Sequence, residues 1–218
     1  MTDFATQRKF MVDTQVRPSD VTDRRIIRAM LDVERETFVP AAQKSIAYID
    51  EQLRVSNDEG GRYLLAPRTL AKMIQSLELA LDAAVLDIGG ATGYSAAVLA
   101  KIAPRVVAVE IAPALLEQAH ANLNGTTTVK LMVGELPGGA ITEGPYDAIL
   151  INGAVDDIPA SLLDQLKDQG RLVAIRIVKG VGRATLWRRF GTQFDQRTLF
   201  DAGGRLLPGF ERKAEFVF

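Results

Sequence analysis

Three acidic side chains, each at or beside the end of an apolar segment, are well suited to bind a polar ligand. They are Asp87, Glu110 and Glu135. Glu110 lies 21 positions after Gly89, close to the spacing at which an acidic residue hydrogen-bonds the ribose of a nucleotide in open α/β sheets. This spacing predicts a ribose-binding role for Glu110. A solvated acid at a strand end is the alternative interpretation.

A turn of small residues follows Asp87 and leads into a helix-like segment. Gly89, Ala91 and Gly93 alternate through this turn, and Tyr94 begins the helical pattern. Glycine lets the backbone approach a ligand closely, and the first N–H groups of a helix have no partner within the helix. The sequence therefore predicts a nucleotide-type site here.

The residues of the turn discriminate between ligands. A dinucleotide fingerprint would require glycine where the chain has Ala91 and Tyr94, which disfavours a nicotinamide-dependent oxidoreductase. The carboxylate of Asp87 would repel a pyrophosphate and favour an ammonium or sulfonium group. S-adenosylmethionine carries both cations, so the pattern predicts this cofactor, with Glu135 accepting from the adenine amino group. The alternative for Asp87 is a carboxylate that only braces the turn.

The site needs a sheet to bring these acids together. From residue 83, apolar strand patterns alternate with helical ones, which is typical of a doubly wound, mostly parallel α/β sheet. The carboxyl ends of such strands meet at one edge, where ligands bind. Segments 184–190, 194–200 and 214–218 follow one another without a helix between them, so we expect an antiparallel C-terminal edge.

The N-terminal part has a different character. Helical patterns over 4–16, from about Asp23, and from Pro67 predict a covering layer. We therefore divide the chain into a helical extension with a substrate loop, 1–78, and a cofactor-binding core, 79–218, which together form one compact unit.

Composition excludes several classes of protein. The 218 residues are 47% hydrophobic and 24% charged, with a net charge of −1, so no basic excess points to nucleic acid. The sequence has no cysteine, which excludes thiolate metal sites, and no bilayer-length apolar run. We expect a cytoplasmic protein with no metal and no membrane partner; the sequence leaves its oligomeric state open.

Residues 85–100 resemble the cofactor motif of the protein-L-isoaspartate (D-aspartate) O-methyltransferase family. Segments 11–17, 29–30 with 35–40, 47–48, and 164–166 with 170–173 are similar to further family segments in the same order. The resemblance implies a Rossmann-like class I methyltransferase fold with a helical N-terminal extension. It also implies methyl transfer from S-adenosylmethionine to the carboxylate of isoaspartyl residues in proteins or peptides.

The acceptor loop departs from the family pattern. Leu65 stands where the family has its functional serine, Tyr63 replaces a threonine and Ala66 a glutamine. Leucine cannot hydrogen-bond a carboxylate, so one positioning contact is missing. Tyr63, Leu65 and Arg68 are the candidate acceptor-site positions, and Arg62 also borders the cleft; solvated loop arginines are the alternative interpretation.

Loss of polar groups from this loop leaves the acceptor and the activity open. The first hypothesis is an O-methyltransferase acting on isoaspartyl residues or on a related small acceptor. The alternative is a catalytically silent relative that binds S-adenosylmethionine or S-adenosylhomocysteine and acts through a partner.

Overall fold

A computed structural model describes residues 3–57 and 60–212. Within these residues a seven-stranded sheet forms the centre of the molecule, and a two-stranded hairpin lies outside it. The α-helices are α1 (Phe4–Met11), α2 (Arg24–Asp32), α3 (Pro67–Ser76), α4 (Tyr94–Ala100), α5 (Pro113–Asn122) and α6 (Ala160–Leu163). The strands are β1 (Leu53–Arg54), β2 (Tyr63–Leu64), β3 (Ala84–Ile88), β4 (Arg105–Glu110), β5 (Val129–Val133), β6 (Tyr146–Val155), β7 (Leu166–Val178), β8 (Val181–Phe190) and β9 (Gln193–Asp201).

The central sheet has the strand order β5-β4-β3-β6-β7-β8-β9. Strands β3 to β7 run parallel, and β7, β8 and β9 pair antiparallel. The chain moves outward from β3 to β5 and then crosses to β6 on the other side of β3. The ends of β3 and β6 therefore mark the switch in direction where α/β sheets bind ligands.

Both faces of the sheet are buried, which explains the nearly continuous apolar runs of its strands. Successive side chains of β3 point to opposite faces: Val85 belongs to one hydrophobic core, whereas Leu86 and Ile88 belong to the other. Helices α3, α4 and α5 line the first core, and α6 lines the second. The predicted Rossmann-like α/β fold is thus confirmed, including its antiparallel C-terminal edge.

The N-terminal layer forms where local sequence signals predicted helices. The side chain of Asp3 caps α1 and that of Asp23 caps α2 by accepting backbone N–H groups. The helix predicted over 4–16 is regular only to Met11 and continues as a π-helical turn, Val12–Val16. Pro18, which lacks an N–H group, prevents a regular continuation.

The two parts predicted for the chain share apolar packing. Met30 and Leu70 of the N-terminal layer lie in the same core as Leu99 and Leu150 of the sheet domain. The division into 1–78 and 79–218 stays a prediction. The predicted strand at 214–218 lies outside the described residues.

The segment that follows β9 runs back across the site edge of the sheet. The amide of Ala154 donates to the carbonyl of Arg205 (2.8 Å), and the amide of Leu207 donates to the carbonyl of Ala154 (2.9 Å). This segment therefore covers the carboxyl end of β6. Among the described residues, no helix is long and apolar enough to cross a membrane.

Candidate active site

The turn after β3 adopts the backbone that its small residues predict. The backbone angle φ is +70° at Gly89, +53° at Ala91 and +95° at Gly93. This left-handed conformation is readily adopted by glycine, and at Ala91 it stores local strain. A Cβ atom added at Gly90 would lie 2.7 Å from a carboxylate oxygen of Asp87. The turn therefore brings the backbone tightly against Asp87.

Asp87 lies beneath the turn and is completely buried. Its carboxylate accepts 2.7 Å hydrogen bonds from the Ser95 hydroxyl and from the side-chain amide of Asn152. Burial raises the pKa of Asp87 to about 6, although both hydrogen bonds favour the charged form. These contacts are those of a carboxylate that braces the turn, which was the alternative interpretation of Asp87. The electrostatic role of Asp87 toward a cation stays a prediction.

Glu110 ends β4 and is also buried, which contradicts the alternative of a solvated acid. Its Oε2 atom accepts from the amide of Ala91 (2.9 Å). Its Oε1 atom accepts from the amides of Ile111 (2.9 Å) and Ala112 (3.4 Å). The carboxylate thus connects the glycine turn to the residues that follow β4, and its predicted ribose-binding role stays a prediction.

Arg62 is the residue at this site whose position the sequence did not reveal. Its side chain is 3% exposed, and Nη2 donates to Oε2 of Glu110 (2.9 Å) and to the carbonyl of Gly89 (2.8 Å). The interpretation of Arg62 as a solvated loop arginine is therefore wrong. Nothing in the local pattern signals this contact, because the partners are 48 positions apart in the sequence.

The space around the turn is largely filled. A Cβ atom added at Gly89 would lie 2.8 Å from Nη2 of Arg62 and 3.2 Å from the Leu207 side chain. The cavity between the turn, the end of β4 and α5 measures about 10 Å³. This is room for about one water molecule.

Tyr94 points away from this space, into the N-terminal layer. Its buried ring lies 4.6 Å from the guanidinium carbon of Arg35 and 5.5 Å from the ring of Phe38. Burial raises the pKa of the Tyr94 hydroxyl. Only the backbone of Tyr94, at the start of α4, therefore lies next to the turn, and its cofactor-binding role stays a prediction.

Glu135 lies at the edge of the same region. It follows β5, is exposed, and precedes the 3₁₀ turn Leu136–Gly138. The amide of Gly134 donates to the backbone carbonyl of Glu110 (3.2 Å), which fixes Glu135 close to the end of β4. This position is compatible with the predicted adenine contact.

The three acceptor-loop candidates do not converge on one point. The half-buried ring of Tyr63 lies 5.3 Å from the guanidinium carbon of Arg205, and Arg68 forms an exposed ion pair with Asp50 (3.1 Å). Leu65 is 3% exposed and packs in the core that the N-terminal layer shares with the sheet, rather than at a cleft surface. Leucine at this position is thus explained by packing.

Comparison with known proteins identifies the family. The sequence profile of the protein-L-isoaspartate (D-aspartate) O-methyltransferase family matches residues 6–185. The chain belongs to this family. It is therefore an S-adenosylmethionine-dependent methyltransferase by membership, with S-adenosylmethionine as its cofactor.

Two relatives illustrate the similarity. A protein-L-isoaspartate O-methyltransferase of Methanoregula boonei is 37% identical over 204 residues, covering 93% of this chain and 92% of the relative. One from Bradyrhizobium sp. (strain ORS 278) is 35% identical over 210 residues, covering 94% of each chain. The similarity extends over nearly the full length of both relatives.

Solved structures show the same fold. A protein-L-isoaspartate O-methyltransferase structure superposes with a TM-score of 0.84 at 26% identity, covering 93% of this chain and 66% of that longer chain. A structure from Plasmodium falciparum in complex with S-adenosyl-L-homocysteine has a TM-score of 0.77 at 18% identity, covering 95% of this chain and 99% of that one. The fold is therefore shared by structures at low sequence identity.

Proposed function

We propose that this protein transfers the methyl group of S-adenosylmethionine to the side-chain carboxylate of isoaspartyl residues in proteins or peptides, or to a closely related carboxylate. The observation that carries the proposal is the position of Glu110 at the end of β4, bonded to the glycine turn, in a chain of this family. The relatives named above carry isoaspartate in their names. They give no support to a silent, binding-only role.

The residues of the strand edge fit a nucleoside cofactor. In this proposal Glu110 accepts hydrogen bonds from the ribose hydroxyls, and the backbone of Gly89, Ala91 and Gly93 lies against the cofactor. Glu135 accepts from the adenine amino group, and Tyr94 anchors the start of α4. Gly89 suits a close approach because it has no Cβ atom to occupy the space over the turn.

When bound, S-adenosylmethionine supplies a methyl group made electrophilic by the adjoining sulfonium. An ionised carboxylate attacks this group without a general base, so the protein must orient the acceptor and exclude water. Asp87, fixed by Ser95 and Asn152, places a negative charge near the cation. Tyr63 and Arg68 are the polar groups proposed to orient the acceptor, since no serine or threonine occurs between Gly60 and Arg68.

A protein or peptide carrying an isoaspartyl residue is the proposed partner, with a small carboxylate acceptor as the second choice. The expectations of a cytoplasmic location and of no nucleic-acid or membrane partner stay predictions. They rest on composition alone.

Transfer of labelled methyl from S-adenosylmethionine to a peptide tests the proposal. The peptide carries isoaspartate at one position, and a control peptide of the same sequence carries aspartate there. We expect label only in the isoaspartyl peptide, lost again in base as expected for a methyl ester. Binding of S-adenosylhomocysteine with no transfer to isoaspartyl peptides or proteins would contradict the proposal and favour the silent relative.

A further inference from the structure

The ion pair between Arg62 and Glu110 lies inside the proposed cofactor site. Both side chains are at most 4% exposed, and Nη2 of Arg62 is 2.9 Å from Oε2 of Glu110. The same nitrogen donates to the carbonyl of Gly89, the first residue of the turn. An arginine of the loop thus contacts the two features that would hold the nucleoside.

Glu110 has no free acceptor position in this arrangement. A carboxylate offers about four lone-pair sites. At Glu110 they face the amides of Ala91, Ile111 and Ala112 and the guanidinium of Arg62. The three amides belong to the turn after β3 and to the residues that directly follow β4. Arg62 is therefore the donor that a ribose hydroxyl must replace.

The guanidinium also occupies space that the cofactor needs. Arg62 and Leu207 fill the volume above Gly89. A sulfonium or ammonium brought beside Arg62 would also be repelled by its positive charge.

The ion pair that holds Arg62 is opposed by polar atoms of the same side chain that lack hydrogen bonds. Its Nε and Nη1 atoms are buried without a hydrogen-bond partner among the described residues. Unpaired buried donors carry a desolvation penalty that opposes the ion pair. Arg62 also belongs to a short hairpin arm, which comprises β1, β2 and the adjoining residues Val55 and Arg62. The arm is held by the pairing of β1 with β2 and by a hydrogen bond from the amide of Val55 to the carbonyl of Arg62. A small element of this kind can move without disrupting the main sheet.

We propose that Arg62 is a latch that closes the cofactor site: Glu110 is bonded either to Arg62 or to the cofactor, and the hairpin arm must carry Arg62 away before the cofactor binds. The inference rests on the proposed function, because it takes Glu110 as the ribose-binding acid. Its consequence is that the apparent affinity for the cofactor equals the intrinsic affinity multiplied by the fraction of molecules in the unlatched state.

Titration calorimetry with S-adenosylhomocysteine tests the latch on three proteins. These are the wild type, Arg62→Gln, and the control Arg54→Gln on the same hairpin, where the exposed arginine donates from Nε to the carbonyl of Ser56. We expect Arg62→Gln to bind at least about 10-fold more tightly than wild type, and Arg54→Gln to bind within about twofold of it. Arg62→Lys keeps the charge, loses the planar guanidinium and should fall in between.

Equal or weaker binding by Arg62→Gln would overturn the latch while leaving the cofactor site intact, and weaker binding would make Arg62 a cofactor ligand. If neither the wild type nor either Arg62 variant binds S-adenosylhomocysteine, the cofactor site and the proposed function fail together with the latch. Should Arg62→Gln not fold, the comparison of wild type with Arg62→Lys decides, since unchanged affinity there also overturns the latch.

Discussion

The carboxylate of Asp87 and the side-chain amide of Asn152 form a 2.7 Å hydrogen bond across the switch point between β3 and β6. The same amide nitrogen also donates to the carbonyl of Ile88 (3.1 Å). Both residues are buried. The turn that begins at Gly89 is thus held from below by polar groups that the sheet itself positions.

Stability should depend on pH through Asp87. The pKa of this group is about 6 in the folded protein, against 3.8 for an ordinary aspartate side chain. Between these values the folded state retains a proton that the unfolded state has lost, so stability falls as the pH rises from about 4 to about 6. We expect the free energy of unfolding of wild type relative to Asp87→Asn to fall by roughly 2 kcal/mol between pH 4 and pH 7. Urea unfolding at both pH values measures it, and a constant difference would contradict the shifted pKa.

Ionisation of Asp87 should also favour the binding of S-adenosylmethionine over that of S-adenosylhomocysteine. S-adenosylmethionine carries a sulfonium charge that S-adenosylhomocysteine lacks, so the ratio of their affinities isolates this charge. The pKa of about 6 predicts that the ratio rises several-fold between pH 5 and pH 7. In Asp87→Asn the ratio should stay constant. Calorimetry with both ligands checks the prediction, and a ratio that rises equally in the variant would assign the effect to another group.

Arg35 should be essential for stability. Its buried guanidinium donates to the carbonyls of Ala47 (2.8 Å) and Leu65 (2.9 Å) and lies over the ring of Tyr94. Arg35→Met leaves both carbonyls without this partner, and we expect a loss of about 3 kcal/mol in the free energy of unfolding.

The control for this substitution is Arg28→Met, which removes an exposed ion pair with Asp32. It should change stability by less than about 0.5 kcal/mol. Urea unfolding measures both, and equal effects would show that the buried contacts of Arg35 contribute nothing specific.

Local sequence patterns were sufficient to predict the strand, turn and helix around Asp87 and the position of Glu110 at the end of the next strand. These features depend on the period of apolar residues and on short spacings within one strand–helix unit. The antiparallel edge followed from the missing helix between β8 and β9. Each of these signals lies within a few tens of residues.

The side chains that fill the site could not be predicted from local sequence patterns. Arg62, which bonds Glu110, lies in a loop that precedes β3 in the sequence. Leu207, which packs over Gly89, lies after β9. Such contacts depend on how distant segments are packed in three dimensions, and no periodicity records them. Leu65 was expected at the acceptor surface because of its place in the loop motif, whereas packing directs its side chain into the core.

Arg62 and Glu110 should stabilise each other in the absence of cofactor. Removing either member leaves a charge buried without its partner, which is more damaging than removing both. Arg62→Gln and Glu110→Gln together should therefore destabilise less than the sum of the single changes, with a coupling free energy of about 2 kcal/mol. Urea unfolding of the four proteins without cofactor gives this value, and additivity would contradict a direct interaction between the two side chains.

Leu65→Ser, which introduces the hydroxyl that the family resemblance implies for this position, should lower stability without improving catalysis. The side chain of Leu65 lies in the apolar core between the N-terminal layer and the sheet, so the change removes packing and buries a hydroxyl. We expect a loss of roughly 3 kcal/mol in the free energy of unfolding. Ala66→Gln, at the neighbouring half-buried position, is the control and should cost less than about 1 kcal/mol. Thermal unfolding combined with methyl transfer to the isoaspartyl peptide separates the two effects: faster transfer at unchanged stability would mean that residue 65 faces the acceptor during the reaction.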